Sequence, residues 1–349
     1  MGTKLRDLAV AEEITFDDLG GKVLAVDTYN LLYQFLTSIR MRDGSLLQDS
    51  KGRVVSHLQG LLSRTAILLE KNIRPVFVFD GKPPVLKEQE RLARRKTKEQ
   101  AEQAFELARE RGDEEEMKKY ASMGTRLTPD IIASAQELIR ALGCPIVLAP
   151  SEGEAQAAYL VMQGDAFAAV SQDFDSLLFG AERLVRNFSA AGKRKKANSL
   201  SYVTVKPELI SLAETLNTLG IDREGLIVLG MLAGTDYNKG GIRGLGPKKA
   251  LKAVKEAQGD WDALFEKVKW SDTFSWGWRE VFTLFKEMPV EKNYTLTFRA
   301  PDENRILDFL CREHDFSEER VRKTLKKIAK TAKKTQVKGL GQKGLDEFF

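Results

Sequence analysis

Two runs of apolar, β-branched and aromatic residues end on an aspartate: Lys22-Val-Leu-Ala-Val-Asp27 and Arg74-Pro-Val-Phe-Val-Phe-Asp80. Two more apolar stretches run into paired acids. Pro145-Ile-Val-Leu-Ala precedes Ser-Glu152-Gly-Glu154-Ala, and Ala166-Phe-Ala-Ala-Val precedes Ser-Gln-Asp173-Phe-Asp175-Ser. A buried strand that finishes on carboxylate, repeated along the chain, constrains the fold more than any other feature. Helical stretches lie between these strands: Leu31, Leu32, Phe35 and Ile39 share one face, Val54 to Lys71 is amphipathic, Thr128 to Leu142 opens with a Thr-Pro cap, and Glu154 to Gln163 follows the third strand. Leu184 to Phe188 is a further candidate strand. Strands alternating with helices predict an α/β domain, a central and largely parallel sheet flanked by helices. Ligands of such sheets sit beyond the carboxyl ends of the strands, where Asp27, Asp80, Glu152 and Asp173 fall.

Carboxylates fixed at buried strand ends are costly unless compensated. For any one of them, a helix N-cap or a solvated loop end explains the acid as well as a ligand does. Taken jointly they favour a hard divalent cation bound through oxygen, Mg²⁺ or Mn²⁺. Asp236, in Leu232-Ala-Gly-Thr-Asp-Tyr-Asn after an apolar helix from Leu226, adds a seventh carboxylate. Seven exceed the needs of one Mg²⁺, so two ions are expected, and a pair about 4 Å apart suits in-line displacement at a phosphodiester. Zinc is disfavoured by the scarcity of its usual ligands, with two histidines (His57, His314) and two cysteines (Cys144, Cys311) far apart. Neither a Gly-x-Ser-x-Gly elbow nor a Gly-x-x-x-x-Gly-Lys-[Ser/Thr] loop is present, which removes support for a serine hydrolase or a P-loop ATPase. No apolar segment reads as a signal peptide or membrane span, so a cytoplasmic protein is expected.

The cations are unevenly placed. Lys87, Arg91, Arg94, Arg95, Lys96 and Lys98 open a segment, 87 to 122, with few large apolar residues; composition alone reads it as an exposed helical hairpin. Beginning seven residues after Asp80, it should stand above the acids, where cations stabilise a phosphodiester transition state. Gly241-Ile-Arg-Gly244-Leu-Gly246-Pro-Lys248-Lys249 has the form of a helix-hairpin-helix turn, which grips a DNA phosphate without reading sequence. Arg320 to Lys343 holds ten Lys or Arg and no acid, the pattern of a solvated face or a partner for a polyanion. The chain then ends in Gln342-Lys-Gly-Leu345-Asp-Glu-Phe348-Phe349, three large apolar side chains that need a groove to fill.

These motifs in this order resemble the flap endonucleases, structure-specific 5′ nucleases of replication and repair, from Lys22 to Phe349; the first twenty residues look most like archaeal members. The resemblance implies a PIN-like 5′ nuclease fold with a helical arch. It divides the chain into a nuclease region (1–98), the rest of the arch (99–122), an internal nuclease region with the hairpin (123–258), a helical region (259–330), a basic linker (331–340) and a sliding-clamp-binding box (341–349). Asp27, Asp80, Glu152 and Glu154 would hold a first Mg²⁺, and Asp173, Asp175 and Asp236 a second, with Mn²⁺ as a substitute. Lys87 and Arg94 match arch residues at the scissile phosphate, Tyr33 the aromatic on which a base stacks, Arg40 and Arg64 DNA contacts, and Gly234 a backbone contact to substrate. Gly244, Gly246, Lys248 and Lys249 would hold duplex and, in the family, K⁺; Gln342, Leu345, Phe348 and Phe349 would hold the clamp. The implied protein is a monomeric, nucleoid-associated enzyme with flap and 5′-3′ exonuclease activity. A non-catalytic clamp-tethered junction module and a single-strand ribonuclease of the same fold are the alternatives.

Overall fold

The computed structural model describes residues 5–188, 192–195 and 202–329. Strand β1 (Ala11–Glu13) precedes the first strand of the core, β2 (Val23–Asp27), which runs directly into α1 (Thr28–Ser38). Asp27 is the joint: its carboxylate accepts the Asn30 backbone NH and caps the helix. Helix α2 (Ser56–Glu70) turns its Leu58, Leu61, Leu62 and Leu68 inward and feeds β3 (Arg74–Phe79). Next come α3 (Glu88–Arg111) and α4 (Glu114–Met123), packed as a hairpin whose reversal is made by Gly112 in the left-handed region, φ 69°. Helix α5 (Pro129–Ala141) starts as its sequence predicts, with the Thr128 hydroxyl accepting the Ile131 NH and proline in the first turn. Strand β4 (Ile146–Leu148), α6 (Gly153–Met162), β5 (Ala168–Val170), α7 (Asp175–Leu178) and β6 (Arg183–Arg186) complete the alternating part.

The sheet order is β1-β9-β6-β5-β2-β3-β4, where β9 is Glu208–Ser211, reached through a separate hairpin of β7 (Gly192–Lys195) and β8 (Tyr202–Val205). The neighbours from β6 to β4 are parallel, as expected, whereas β9 pairs antiparallel with both β6 and β1. Alternate strand residues face opposite sides, so Leu24, Val26, Phe77 and Phe79 fill one core while Ala25, Val76 and Val78 fill the other. Both faces are covered, as a parallel sheet requires.

On one side, α8 (Leu212–Leu219), α9 (Arg223–Ala233) and α10 (Pro247–Ala257) lead to α11 (Trp261–Lys267), α12 (Trp270–Thr273) and α13 (Trp278–Glu287). An extended strap, 288–302, then crosses to the other core. Fully buried Gln156 of α6 staples it, donating to the Glu291 carbonyl at 2.9 Å and accepting the Glu291 NH at 2.6 Å. Helix α14 (Glu303–Leu307), a π-helical turn at Asp308–Glu313 and the helical stretch 318–329 close that core through Ile306, Leu310, Val321 and Ile328. Among the described residues no helix is long and apolar enough to cross a membrane. The linker 331–340 and the proposed clamp residues Gln342, Leu345, Phe348 and Phe349 lie outside the described residues.

Candidate active site

The carboxyl ends of the parallel strands collect the acids. Asp27 ends β2, Asp80 follows β3, Glu152 immediately precedes α6 and Glu154 lies in its first turn, Asp173 follows β5, and Asp175 opens α7. Asp80 Oδ1 accepts the Gly153 backbone NH at 2.6 Å, and a Cβ at residue 153 would stand 2.6 Å from that same oxygen. The glycine in Ser-Glu-Gly-Glu is therefore what lets α6 begin against Asp80. The Ser171 hydroxyl lies 3.1 Å from Asp27 Oδ2 and 2.9 Å from Glu154 Oε1, and it accepts the Asp173 NH. One hydroxyl proton serves two carboxylates, so it joins the two acids without neutralising either. Asn30 donates its side-chain amide toward Asp173 Oδ2.

Like charges in a buried floor hold protons tightly. Burial, then the charges of Asp80 and Asp173, push the Asp27 carboxyl up to about 7. Burial and Glu152 push Asp80 up to about 6, and burial with Asp175, Asp173 and Asp27 raises Glu154 well above the usual range. Asp236 behaves in the opposite way. Burial alone would raise it, but Lys87 and Arg94 hold it below its ordinary value.

Those two cations come from the arch segment, as the sequence predicts. Lys87 Nζ lies 2.7 Å from Glu152 Oε2 and 3.4 Å from Asp236 Oδ2, 5.7 Å from the Tyr237 ring centre. Burial would lower the Lys87 ammonium, yet Glu152 and Asp236 push it above its usual value. Arg94 donates through Nη2 to Asp236 Oδ2 at 2.9 Å and through Nε to Glu90 Oε1 at 2.7 Å. Asp236 is presented by a loop held rigidly at its far end, where buried Asn238 accepts the Thr235 hydroxyl at 2.6 Å and donates to the Met231 carbonyl. Gly234 starts that loop at φ +104°, with the space for a side chain taken by the Gly241 NH at 2.7 Å. Only glycine fits there.

The proposed DNA residues surround this centre. A cavity of about 360 Å³ lies between Lys87, Arg91, Arg94, Arg95 and Lys98 above and Asp80 and Glu152 below. A second, of about 580 Å³, opens beside Asp173 and Asp236, and the two share Tyr33, Arg94 and Lys98 in their walls. Lys98 donates to the Tyr33 hydroxyl at 2.7 Å, tying that aromatic to the arch. Gly244 (φ +84°) and Gly246 form the turn before α10, with Lys248 and Lys249 exposed at its start. Arg40 and Arg64 are farther out. Arg40 is half-buried and donates to the Gly44 carbonyl and to Thr125, joining the loop after α1 to the end of the arch, and Arg64 stacks over Phe16 at 5.9 Å.

Every acid in the set offers hard oxygen donors and none of the chain's histidines or cysteines joins them, which suits Mg²⁺ or Mn²⁺. Asp27, Asp80 and Glu154, raised by burial and by neighbouring carboxylates, are what a divalent ion would relieve. Among the described residues no group of three or more His, Cys, Asp or Glu side chains is gathered closely enough to hold a metal ion as it stands. Glu152 and Asp236 are instead engaged by Lys87 and Arg94. Sequence reasoning missed Ser171, Asn30, Glu90 and Lys239. Ser171 was signalled by its place two residues before Asp173 and Glu90 by its i,i+4 spacing to Arg94; Asn30 and Lys239 gain their roles through partners distant in the chain.

The XPG N-terminal domain family matches residues 3–101 and the XPG I-region family residues 143–236. Flap endonuclease 1 of Pyrococcus furiosus is 49% identical over 95% of this chain and 96% of its own length. Flap endonuclease 1 of Aeropyrum pernix is 47% identical with 100% of each covered. Among solved structures, flap endonuclease-1 from Methanococcus jannaschii matches with a TM-score of 0.74 at 41% identity, covering 96% of this chain and 100% of that one. The catalytic core of Rad2 in complex with DNA substrate matches with a TM-score of 0.68 at 25% identity, over 94% and 100%. With its acids at the strand ends and its arch cations on them, the chain belongs to the flap endonuclease 1 family of XPG nucleases.

Proposed function

We propose that this chain is a metal-dependent hydrolase that cuts branched DNA near the base of a 5′ flap, leaving a 5′-phosphate and a ligatable nick. The observation that carries the reading is the meeting of two opposed sets: carboxylates at the ends of parallel strands, and Lys87 and Arg94 reaching onto them from the arch. Asp27, Asp80, Glu152 and Glu154 would hold one Mg²⁺ and Asp173, Asp175 and Asp236 another, with Mn²⁺ able to replace it. Such ions supply hydroxide at neutral pH and polarise the phosphoryl group.

The chain's own residues do the rest. Lys87 and Arg94 exchange their carboxylate partners for the non-bridging oxygens of the scissile phosphate and stabilise the charge that builds there. Tyr33, in the wall shared by both cavities, offers a ring on which the neighbouring base stacks. Gly244, Gly246, Lys248 and Lys249 grip the duplex backbone away from the cut, with K⁺ at the turn, and Arg40, Arg64 and Gly234 contact further phosphates. Such a grip reads shape and not bases, which suits a substrate defined by its branch. Gln342, Leu345, Phe348 and Phe349 would tether a monomer to a sliding clamp.

A labelled 5′-flap duplex with Mg²⁺ tests the reading, run beside single-stranded RNA of the same sequence. Preferred cutting at the flap base supports it. Preferred RNA cutting would reassign the substrate, and flap binding without cutting would leave a junction-binding module. Calorimetric titration of Mg²⁺ counts the ions, and loss of clamp binding in Phe348→Ala plus Phe349→Ala, with clamp-free cutting retained, tests the tether.

A further inference from the structure

Glu90 is an acid where a DNA-binding arch should least want one. It lies in the first turn of α3, among Lys87, Arg91, Arg94 and Arg95, and is only 7% exposed. Its Oε1 accepts the Arg94 Nε at 2.7 Å, and its Oε2 lies 3.1 Å from Lys239 Nζ, on the loop that carries Asp236. Arg94 spends its Nε on Glu90 and turns its Nη2 toward Asp236 at 2.9 Å. A guanidinium is a rigid fork, so fixing the Nε edge fixes where the outer nitrogens point. Lys239 Nζ also lies 3.3 Å from Oε1, so it holds both carboxylate oxygens and links the base of the arch to the Asp236 loop.

We infer that Glu90 is a positioning residue for the cleavage reaction: shared between Arg94 and Lys239, it aims the Arg94 guanidinium at the scissile phosphate. This rests on the role proposed above for Arg94. The charge of Glu90 gives the inference a signature that a purely structural ion pair lacks. A carboxylate beside the path of a polyanion opposes DNA binding, so removing its charge favours binding. Removing its aim at Arg94 slows the chemistry. The two effects therefore have opposite signs.

The experiment measures the single-turnover rate at saturating enzyme and the Kd for a 5′-flap duplex, for wild type, Glu90→Gln, Arg94→Ala and the double variant, with thermal melting of each. Glu90→Gln is expected to cut about tenfold more slowly, within the roughly hundredfold that a misplacement of about 1 Å can cost, while its Kd is unchanged or tighter. Arg94→Ala is expected to be slower still, and adding Glu90→Gln to it should change the rate no further, because the group being aimed is gone. Glu90→Asp, which keeps the charge on a shorter stem, should recover part of the rate. A wild-type rate in Glu90→Gln overturns the inference while leaving the Arg94 role intact, as does an equal further loss in the Arg94→Ala background. Weaker binding in step with slower cutting reduces Glu90 to a structural pair and also overturns it. A wild-type rate in Arg94→Ala overturns both the inference and the reading beneath it.

Discussion

The floor and the rim of this site both present carboxylates, and their electrostatics are opposite. On the floor Asp27, Asp80 and Glu154 face one another across buried strand ends, and their carboxyls are pushed up, to about 7 for Asp27 and about 6 for Asp80. On the rim Asp236 touches Lys87 and Arg94 and is held below its usual range. Burial acts on both. What differs is whether a cation stands within hydrogen-bonding reach: Lys87 and Arg94 touch Asp236, whereas Lys87 acts on Asp80 and Glu154 only from a distance. On the function proposed above, the floor would take a divalent ion and the rim cations would exchange onto a phosphate.

The largest test of that contrast is to remove a floor acid. Asp80→Asn or Asp173→Ala should slow flap cutting on the order of a thousandfold or more, because transition-state stabilisation worth several kcal/mol depends on them. Asp80→Asn should leave the metal-free fold as stable or slightly more so, since a carboxylate raised by burial and by Glu152 is removed. A large drop in melting temperature with that variant would make the floor acids structural and break the comparison.

Removing a rim cation should separate rate from binding. Lys87→Ala is expected to cut roughly a hundredfold more slowly with a Kd within a few-fold of wild type, because its ammonium acts on charge that develops in the transition state. Single-turnover kinetics beside a binding titration decide this. Equal losses in both would place Lys87 in ground-state binding.

The smallest effect is on stability. Asp27 and Asp80 have folded values near 7 and 6 against 3.8 for the unconstrained carboxyl. The folded state then binds more protons than the unfolded state between those limits, so their stabilisation is full below the unfolded value and is lost as pH rises toward 7. Asp236, depressed below 3.8, contributes above that value and loses its contribution as pH falls through its folded value. Metal-free protein should accordingly lose roughly a few degrees of melting temperature between about pH 4 and pH 7, and Asp27→Asn or added Mg²⁺ should flatten that slope. An unchanged slope in Asp27→Asn would mean that burial and the neighbouring acids do not raise the Asp27 carboxyl.

The parallel core was legible because its signals are local: apolar β-branched runs closed by acids, a Thr-Pro helix start, glycines at turns. Boundaries shifted by only a residue or two, as at Val23–Asp27 and Pro129–Ala141. The antiparallel edge was not legible. Strand β1 reads Ala-Glu-Glu and is exposed throughout, so it carries no alternation, and it is a strand only because β9 lies beside it. In the site the carboxylates announced themselves, whereas Ser171, Asn30 and Glu90 carried at most a spacing signal. A serine, an asparagine and one more glutamate on a charged helix are unremarkable until the fold sets them beside Asp27, Asp173 and Lys239.

The sequence by itself determined which residues form the parallel strands, which of them run into acids, and that a basic segment follows Asp80, because hydrophobic period and turn chemistry are written within a few residues of one another. Only the tertiary structure decided which acids share a cation and which repel. Lys87 meets Asp236 across 149 residues and Glu152 across 65, and a carboxyl's proton affinity depends on what lies within a few ångströms in space, a distance that chain order does not encode.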